Sequence, residues 1–345
     1  MNIQQLLTQL ETTHQATPAG IEYLLANEAE QDLLFAAAER VRRNYVGNSV
    51  QLRAVIEFSN YCKCRCVYCG INFGNDKLPK FRLTKEQILS AADSAAKAGY
   101  KTFVLQSGED ESYTKEYLAE IIAEITQKYG DTAITLSVGE RPYSHYEAWF
   151  KAGAKRFLLK HEIGNAELYK KLHHGDLLSD RLQAARNLMQ IGYQTGSGIL
   201  IGLPEQTLAD IAADILFLQN YNFNMISIGV FISGPGTPLA GHPNGDVGLT
   251  KRAMALARLL CPKALIPATS ALLSLLPSPE QAMDCGANVL MQKAEPANYE
   301  NLYALYPRKS DELSIAERRA KVTTMLAALG RTVSETQGNY GEELK

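Results

Sequence analysis

Eight short apolar runs, most of them separated by helical patterns, limit the fold of this chain more than any other feature. They are VQLRAVIEFS (50–59), KTFVLQS (101–107), AITLSV (133–138), KRFLLK (155–160), GSGILIG (196–202), NMISIGVFI (224–232), ALIPAT (264–269) and ANVLM (287–291). They are apolar nearly throughout instead of alternating, the pattern of strands covered by helices on both faces of a parallel sheet. Eight such strands, each but the last followed by a helix or long loop, predict an α/β fold, a (β/α)8 TIM barrel. A doubly wound open sheet is the runner-up. The 345 residues suit one large barrel. Residues 1–49 are then an N-terminal helical extension packed on the barrel, and 50–345 the barrel domain. ELSIAERRAKVTTMLAALGR (312–331) is a C-terminal closing helix, and the last dozen residues are expected to fray.

Helix-end chemistry supports the alternation. Residues 84–98 carry a capping box (Thr84, Gln87), a hydrophobic staple (Leu83, Ile88) and Gly99 at the left-handed cap position. Ser179, Thr207 and Ser278 are expected N-caps, the last followed by Pro279. A formal net charge of −2 gives no footing for nucleic acid or an acidic membrane. The opening MNIQQLLTQLETTHQ has no secretory pattern and no stretch is long enough to cross a bilayer, so a cytoplasmic protein is expected.

A barrel of this type keeps its chemistry at the carboxyl ends of its strands. The polar groups that follow the apolar runs are therefore the candidates: a cysteine cluster after the first, SGED (107–110), SVGER (137–141), KHE (160–162), and Thr269 with Ser270. The cluster, CKCRCVYC, holds four of the six cysteines, at 62, 64, 66 and 69. Thiolates bind soft metals and iron–sulfur clusters. A structural zinc site takes two cysteine pairs from separate segments, and Cys261 and Cys285 stand alone. Three thiols at C-x3-C-x2-C (Cys62, Cys66, Cys69) can hold one cubic 4Fe–4S cluster and leave one iron open for chemistry. Cys64 is then a spectator on the loop. The alternative spacing, C-x-C-x2-C on Cys64, Cys66 and Cys69, stays open.

With Tyr68 just before its last cysteine, the loop resembles the radical S-adenosylmethionine (SAM) signature. The resemblance extends over nearly the whole chain, through RNYVGNSVQLRAVIEFSNYC, LQSGED, TLSVGERP, AGAKRFLLKHE, GYQTGSGILIGLPEQT, GVFISGPGTPLAG, IPATSA, CGANVLM and LYPRK. It is closest to the HydE family of FeFe-hydrogenase maturases, in the group of biotin synthase and methylornithine synthase. The family places SAM at Tyr68, Ser107, Gly108, Glu109, Ser137, Glu162, Arg181 and Leu203. Glu109 and the SGED backbone receive its ammonium, Arg181 pairs with its carboxylate, Glu162 accepts from its ribose, and Leu203 lies against adenine. The substrate cavity is implied at Arg156, Met225, Thr269 and Ser270, with Gln106, Tyr303 and Tyr306 nearest the chemistry. For Met225 core filling is the stronger reading of the residue itself.

In such an enzyme an electron from the cluster splits SAM to methionine and a 5′-deoxyadenosyl radical. The HydE resemblance further implies attack on the sulfur of a cysteine-bound iron carbonyl cyanide precursor. Its partners would be a small organometallic or amino-acid-derived substrate, a reductant such as ferredoxin or flavodoxin, and other hydrogenase maturases. No cysteine follows residue 285, so no accessory C-terminal cluster is expected. A methylornithine-synthase-like enzyme is the rival within the same chemistry, and a non-catalytic iron–sulfur carrier the rival of another class.

Overall fold

The computed structural model describes residues 2–307 and 312–342. Its strands are β1 (Ser49–Ser59), β2 (Thr102–Ser107), β3 (Ala133–Ser137), β4 (Ala154–Leu158), β5 (Gln194–Ile201), β6 (Met225–Val230), β7 (Pro267–Ala268), β8 (Val289–Lys293) and β9 (Thr332–Val333). Eight of them run in the order β6-β5-β4-β3-β2-β1-β8-β7, all pairs parallel. The open side between β6 and β7 is bridged at Met225↔Leu265, where Ile226 N–H donates to the Leu265 carbonyl at 3.0 Å and Leu265 N–H to the Asn224 carbonyl at 2.9 Å. The result is a nearly closed (β/α)8 barrel, as the apolar runs predict.

Three helices precede β1: α1 (Ile3–Thr13), α2 (Pro18–Ala26) and α3 (Gln31–Val46). α3 packs on helix Val247–Leu260 and α2 on helix Leu208–Asn220. That second layer explains why Ala253 to Leu260 are buried on every face of their helix. The capping box at Thr84 and Gln87 forms at the start of α4 (Lys85–Lys97), and Thr207 caps its helix with Asp210. Two cap expectations fail. The helix Leu178–Ile191 starts after Leu177, which offers no side-chain acceptor, so Ser179 lies inside it. Ser278 precedes only a short 3-10 turn, Pro279–Ala282, and makes no side-chain cap bond.

Of the last dozen residues, those described, 334–342, do not fray as expected. After helix Ile315–Ala328, β9 pairs with β1 through Ser49↔Thr332 and Val50↔Val333. The segment that follows then closes the amino-terminal mouth of the barrel. Gln337 offers its carbonyl to Thr102 Oγ1 at 2.8 Å and to Arg156 Nη2 at 2.7 Å, while Asn339 Oδ1 accepts from Arg156 at 2.6 Å. Tyr340 N–H donates to Gln194 Oε1 at 2.9 Å. Buried polar side chains at the strand starts need partners, and the tail supplies them. Among the described residues no helix is long and apolar enough to cross a membrane.

Candidate active site

A cavity of about 340 Å³ opens at the carboxyl ends of the strands. Its outer wall is the cysteine loop, which leaves β1 at Ser59. Asn60 anchors the start of that loop, donating to the Pro79 carbonyl at 2.8 Å and the Leu302 carbonyl at 2.7 Å, and accepting from Phe81 N–H at 2.8 Å. Cys62, Cys64, Cys66 and Cys69 all carry free thiols and all line the cavity. Among the described residues no three His, Cys, Asp or Glu side chains close on a point that could hold one ion. The loop presents four soft donors along one wall, and thiolates are the ligands that hold an iron–sulfide core. Burial pushes the Cys69 thiol up to about 12. Cys62 rises through its hydrogen bond with Cys64 and then through burial. Thiols crowded out of water ionise only when positive charge is supplied, as a bound iron–sulfide core supplies it.

Two contacts set the loop's shape. The Tyr68 hydroxyl lies 2.7 Å from His173 Nε2, and His173 Nδ1 lies 2.8 Å from the Tyr169 carbonyl. A carbonyl only accepts, so Nδ1 carries the proton and Nε2 accepts from Tyr68. Burial draws the His173 pKa down to about 4, which keeps the ring neutral. On the other side the β2 end abuts the loop: Glu109 N–H donates to Cys62 Sγ at 3.3 Å. A Cβ at Gly108 would collide with the Tyr61 carbonyl and Cys62 Cβ, so only glycine permits this approach.

Within SGED the two carboxylates diverge. Asp110 turns away to a bidentate pair with Arg82 at 2.7 and 3.0 Å. Glu109 faces the cavity and accepts from Glu140 N–H at 2.7 Å, over Gly139 at φ 71°, where a Cβ would strike its carboxylate. Arg181 is largely buried in the same wall, 3.1 Å from Glu140 and 3.7 Å from Glu109. It is not the surface arginine that a first-turn position allows. Two carboxylates around one guanidinium leave negative charge for an ammonium-bearing ligand.

The inner wall is also charged. Glu162 sits at φ 64°, a left-handed conformation that costs a non-glycine residue about 1–3 kcal/mol. Its backbone is fixed by β5, donating to Gly198 and accepting from Leu200, both at 2.9 Å. Its side chain pairs with Lys160 at 2.8 Å. Opposite, the Lys293 ammonium lies 2.9 Å from Glu57 and 3.1 Å from Glu295. Burial, then the neighbouring Glu57, pushes the Glu295 carboxyl well above the usual range. Tyr303 hydrogen-bonds Gln106 and is raised chiefly by burial. Ser107, Ser137, Thr269, Ser270 and Tyr306 complete the wall. Thr269 Oγ1 also caps helix Ser270–Leu275.

The structure keeps three expected residues out of this cavity. Leu203 packs beside Ile163, Leu168 and Phe231, next to Tyr68. Met225 lies at the start of β6, with its sulfur 3.2 Å from Arg53 Nη1 in a layer below the cavity. Arg156 is held by the chain end at the opposite mouth. It faces inward like Leu158 and Lys160, but four residues of strand put it about 13 Å below Lys160. Arg308 and Lys309 of LYPRK lie outside the described residues.

Glu57, Lys293 and His173 were missed by the sequence reading, while Lys160, which opens KHE, was among its strand-end candidates without a role of its own. Lys293 lies just past ANVLM, so strand-end counting could have found it too. Glu57 is the lone acid inside VQLRAVIEFS, a signal in itself. His173 leaves no local signal.

Comparison with known proteins decides the family. The profile of the Radical SAM superfamily matches residues 56–218, which include the cysteine loop, Glu109, Glu162 and Arg181. The FeFe-hydrogenase maturase subunit HydE of Thermotoga maritima is 42% identical over 311 residues, 90% of this chain and 89% of that protein. The chain belongs to the HydE family of radical SAM enzymes. Membership carries reductive cleavage of SAM, with a 4Fe–4S cluster and SAM as its cofactors, a small-molecule substrate and a reductant. The family also reaches its neighbours. The 3-methylornithine synthase of Methanosarcina barkeri is 31% identical over 306 residues, 87% of this chain and 85% of that protein. The solved structure of methylornithine synthase PylB overlays with a TM-score of 0.84 at 26% identity, covering 95% of this chain and 97% of that one.

Proposed function

We propose that this chain works as a cytoplasmic, anaerobic FeFe-hydrogenase maturase of the HydE kind. Its substrate in this reading is a mononuclear iron species bearing cysteine, carbon monoxide and cyanide. The observation that carries the reading is the union of a thiol loop, the Glu109–Arg181 wall and the Glu57–Tyr303 wall on one cavity. Cys62, Cys66 and Cys69 would hold a single 4Fe–4S cluster, and no accessory cluster is formed. When bound, the cluster and SAM supply a 5′-deoxyadenosyl radical for addition to the substrate sulfur.

The protein's own residues do the rest. Glu109 and the backbone of Ser107 and Gly108 receive the ammonium of SAM, and Arg181 its carboxylate. Ser137 and Glu162 hold the methionine and ribose. Gln106, Tyr303 and Tyr306 orient the substrate, with Thr269 and Ser270 beside them. Lys160 and Lys293 place cationic charge where an anionic substrate can pair. The buried walls exclude water that would quench a radical. Reductant, whether ferredoxin or flavodoxin, and the other maturases act from outside the barrel. The N-terminal helices 1–49 form an extension on a single barrel domain, 50–345.

The methylornithine-synthase reading has support in the overlay with PylB. Substrate-dependent turnover separates the two. Supplied with the cysteine-bound iron carbonyl cyanide complex, reduced enzyme should consume SAM faster than with amino acids alone. Acceleration by an amino acid and not by the iron complex would favour the rival.

A further inference from the structure

Cys64 is the thiol that the C-x3-C-x2-C spacing leaves unused. A spectator on an exposed loop would turn its side chain to solvent, as its neighbours Lys63 and Arg65 do. Cys64 does not. It lines the main cavity with the other three cysteines. It also lines an outer vestibule of about 420 Å³, between the loop and residues 173–181, next to Glu109 and Arg181.

The backbone on both sides of Cys64 is tied down. Lys63 N–H donates to the Glu109 carbonyl at 3.2 Å, and the Cys64 carbonyl accepts from Phe73 N–H at 2.8 Å. These bonds hold the Cys64 main chain between β2 and residue 73. Four soft donors therefore share one wall, where a cubic cluster open at one iron needs three. A thiolate within reach of an open iron is a stronger ligand than water.

We propose that Cys64 is a reversible fourth ligand of the cluster, bound to the otherwise open iron when SAM is absent and released when SAM occupies the Glu109–Arg181 wall. The inference rests on the reading that the loop holds a 4Fe–4S cluster. The exchange balances without redox change: one iron–thiolate bond breaks, iron–amino and iron–carboxylate bonds form, and the freed thiolate takes up the proton that the SAM ammonium gives up as its nitrogen binds iron. A cluster with four thiolates keeps its fourth iron better under oxidation, and SAM must compete with Cys64 for its place.

The test uses the full chain reconstituted anaerobically with iron and sulfide, as wild type, Cys64→Ala, Cys64→Ser and Cys62→Ala. Iron and sulfide counts and a melting curve come first. Mild oxidation without SAM is followed by electron paramagnetic resonance for the three-iron product, and SAM affinity is measured by equilibrium binding. With Cys64 as fourth ligand, Cys64→Ala loses the fourth iron at least about tenfold faster than wild type. Added SAM abolishes that difference. Cys64→Ala also binds SAM about tenfold tighter, since the competing ligand is gone. Cys64→Ser falls between, which separates coordination from misfolding. Equal iron loss and equal SAM affinity in fully loaded wild type and Cys64→Ala overturn the inference and leave the cluster reading intact. A full cluster in Cys62→Ala with none in Cys64→Ala also overturns it, in favour of a permanent C-x-C-x2-C set. Failure of wild type to assemble any cluster overturns both.

Discussion

The two mouths of the barrel meet the same problem in opposite ways. Both carry ionisable side chains on the inner faces of strands, where burial without a partner is costly. At the amino-terminal mouth the chain itself answers: Gln337 and Asn339 fill the space and satisfy Arg156. At the carboxyl mouth Glu57, Glu109, Glu162, Lys160, Lys293 and Arg181 surround an open cavity instead. An arginine inside a barrel strand thus marks a site only when its height along the strand brings it to the open end. The closed end spends its polar groups on stability, and the open end leaves them facing a space where a ligand fits.

If that division is right, substitutions at the two ends should fail differently. The largest effect belongs to the cysteine loop. Cys66→Ala should lose the cluster, and with it all SAM cleavage, in an iron assay paired with product analysis. Next comes Arg181→Met, which leaves Glu109 and Glu140 without their guanidinium. Truncating one partner of a buried pair costs about 2–5 kcal/mol, so SAM affinity should fall well over tenfold in equilibrium binding while the melting temperature moves less. Unchanged affinity would detach this wall from SAM.

A pH scan probes the brace behind the loop. His173 is neutral in the fold, with its pKa drawn from the usual 6.5 to about 4 by burial. Below pH 6.5 the unfolded chain binds a proton that the fold refuses, so stability falls as pH drops from 6.5 towards 4, by up to about 3 kcal/mol. It is fully present above 6.5. Denaturant unfolding across this range should show the slope in wild type and a shallower one in His173→Phe.

The smallest effect belongs to the closed mouth. Asn339→Ala removes one acceptor from the buried Arg156 and should cost about 1–3 kcal/mol of stability. SAM cleavage per folded enzyme should not change. A loss of activity without a loss of stability would mean that the two ends are not separate.

How far the sequence carried this account follows the same line. Strands declared themselves because burial on both faces leaves nearly pure apolar runs. The functional rim followed from taking the polar residues just beyond them, and the family likeness added Ser137, Glu162 and Arg181 to one cavity. Height was not legible: Arg156 faces the right way at the wrong level, and Met225 shares its layer with Arg53. Long-range ties were also silent. Nothing near His173 in sequence announces Tyr68, and nothing in the last dozen residues announces Arg156. Those contacts join residues about 100 or more positions apart, and no local pattern encodes them.

The most direct test of the central claim is the appearance of 5′-deoxyadenosine when anaerobically reconstituted, dithionite-reduced protein meets SAM. Product from wild type and none from Cys66→Ala is the predicted result. A fully loaded wild-type cluster that leaves SAM intact would contradict the claim and return the open mouth to the status of an iron–sulfur carrier.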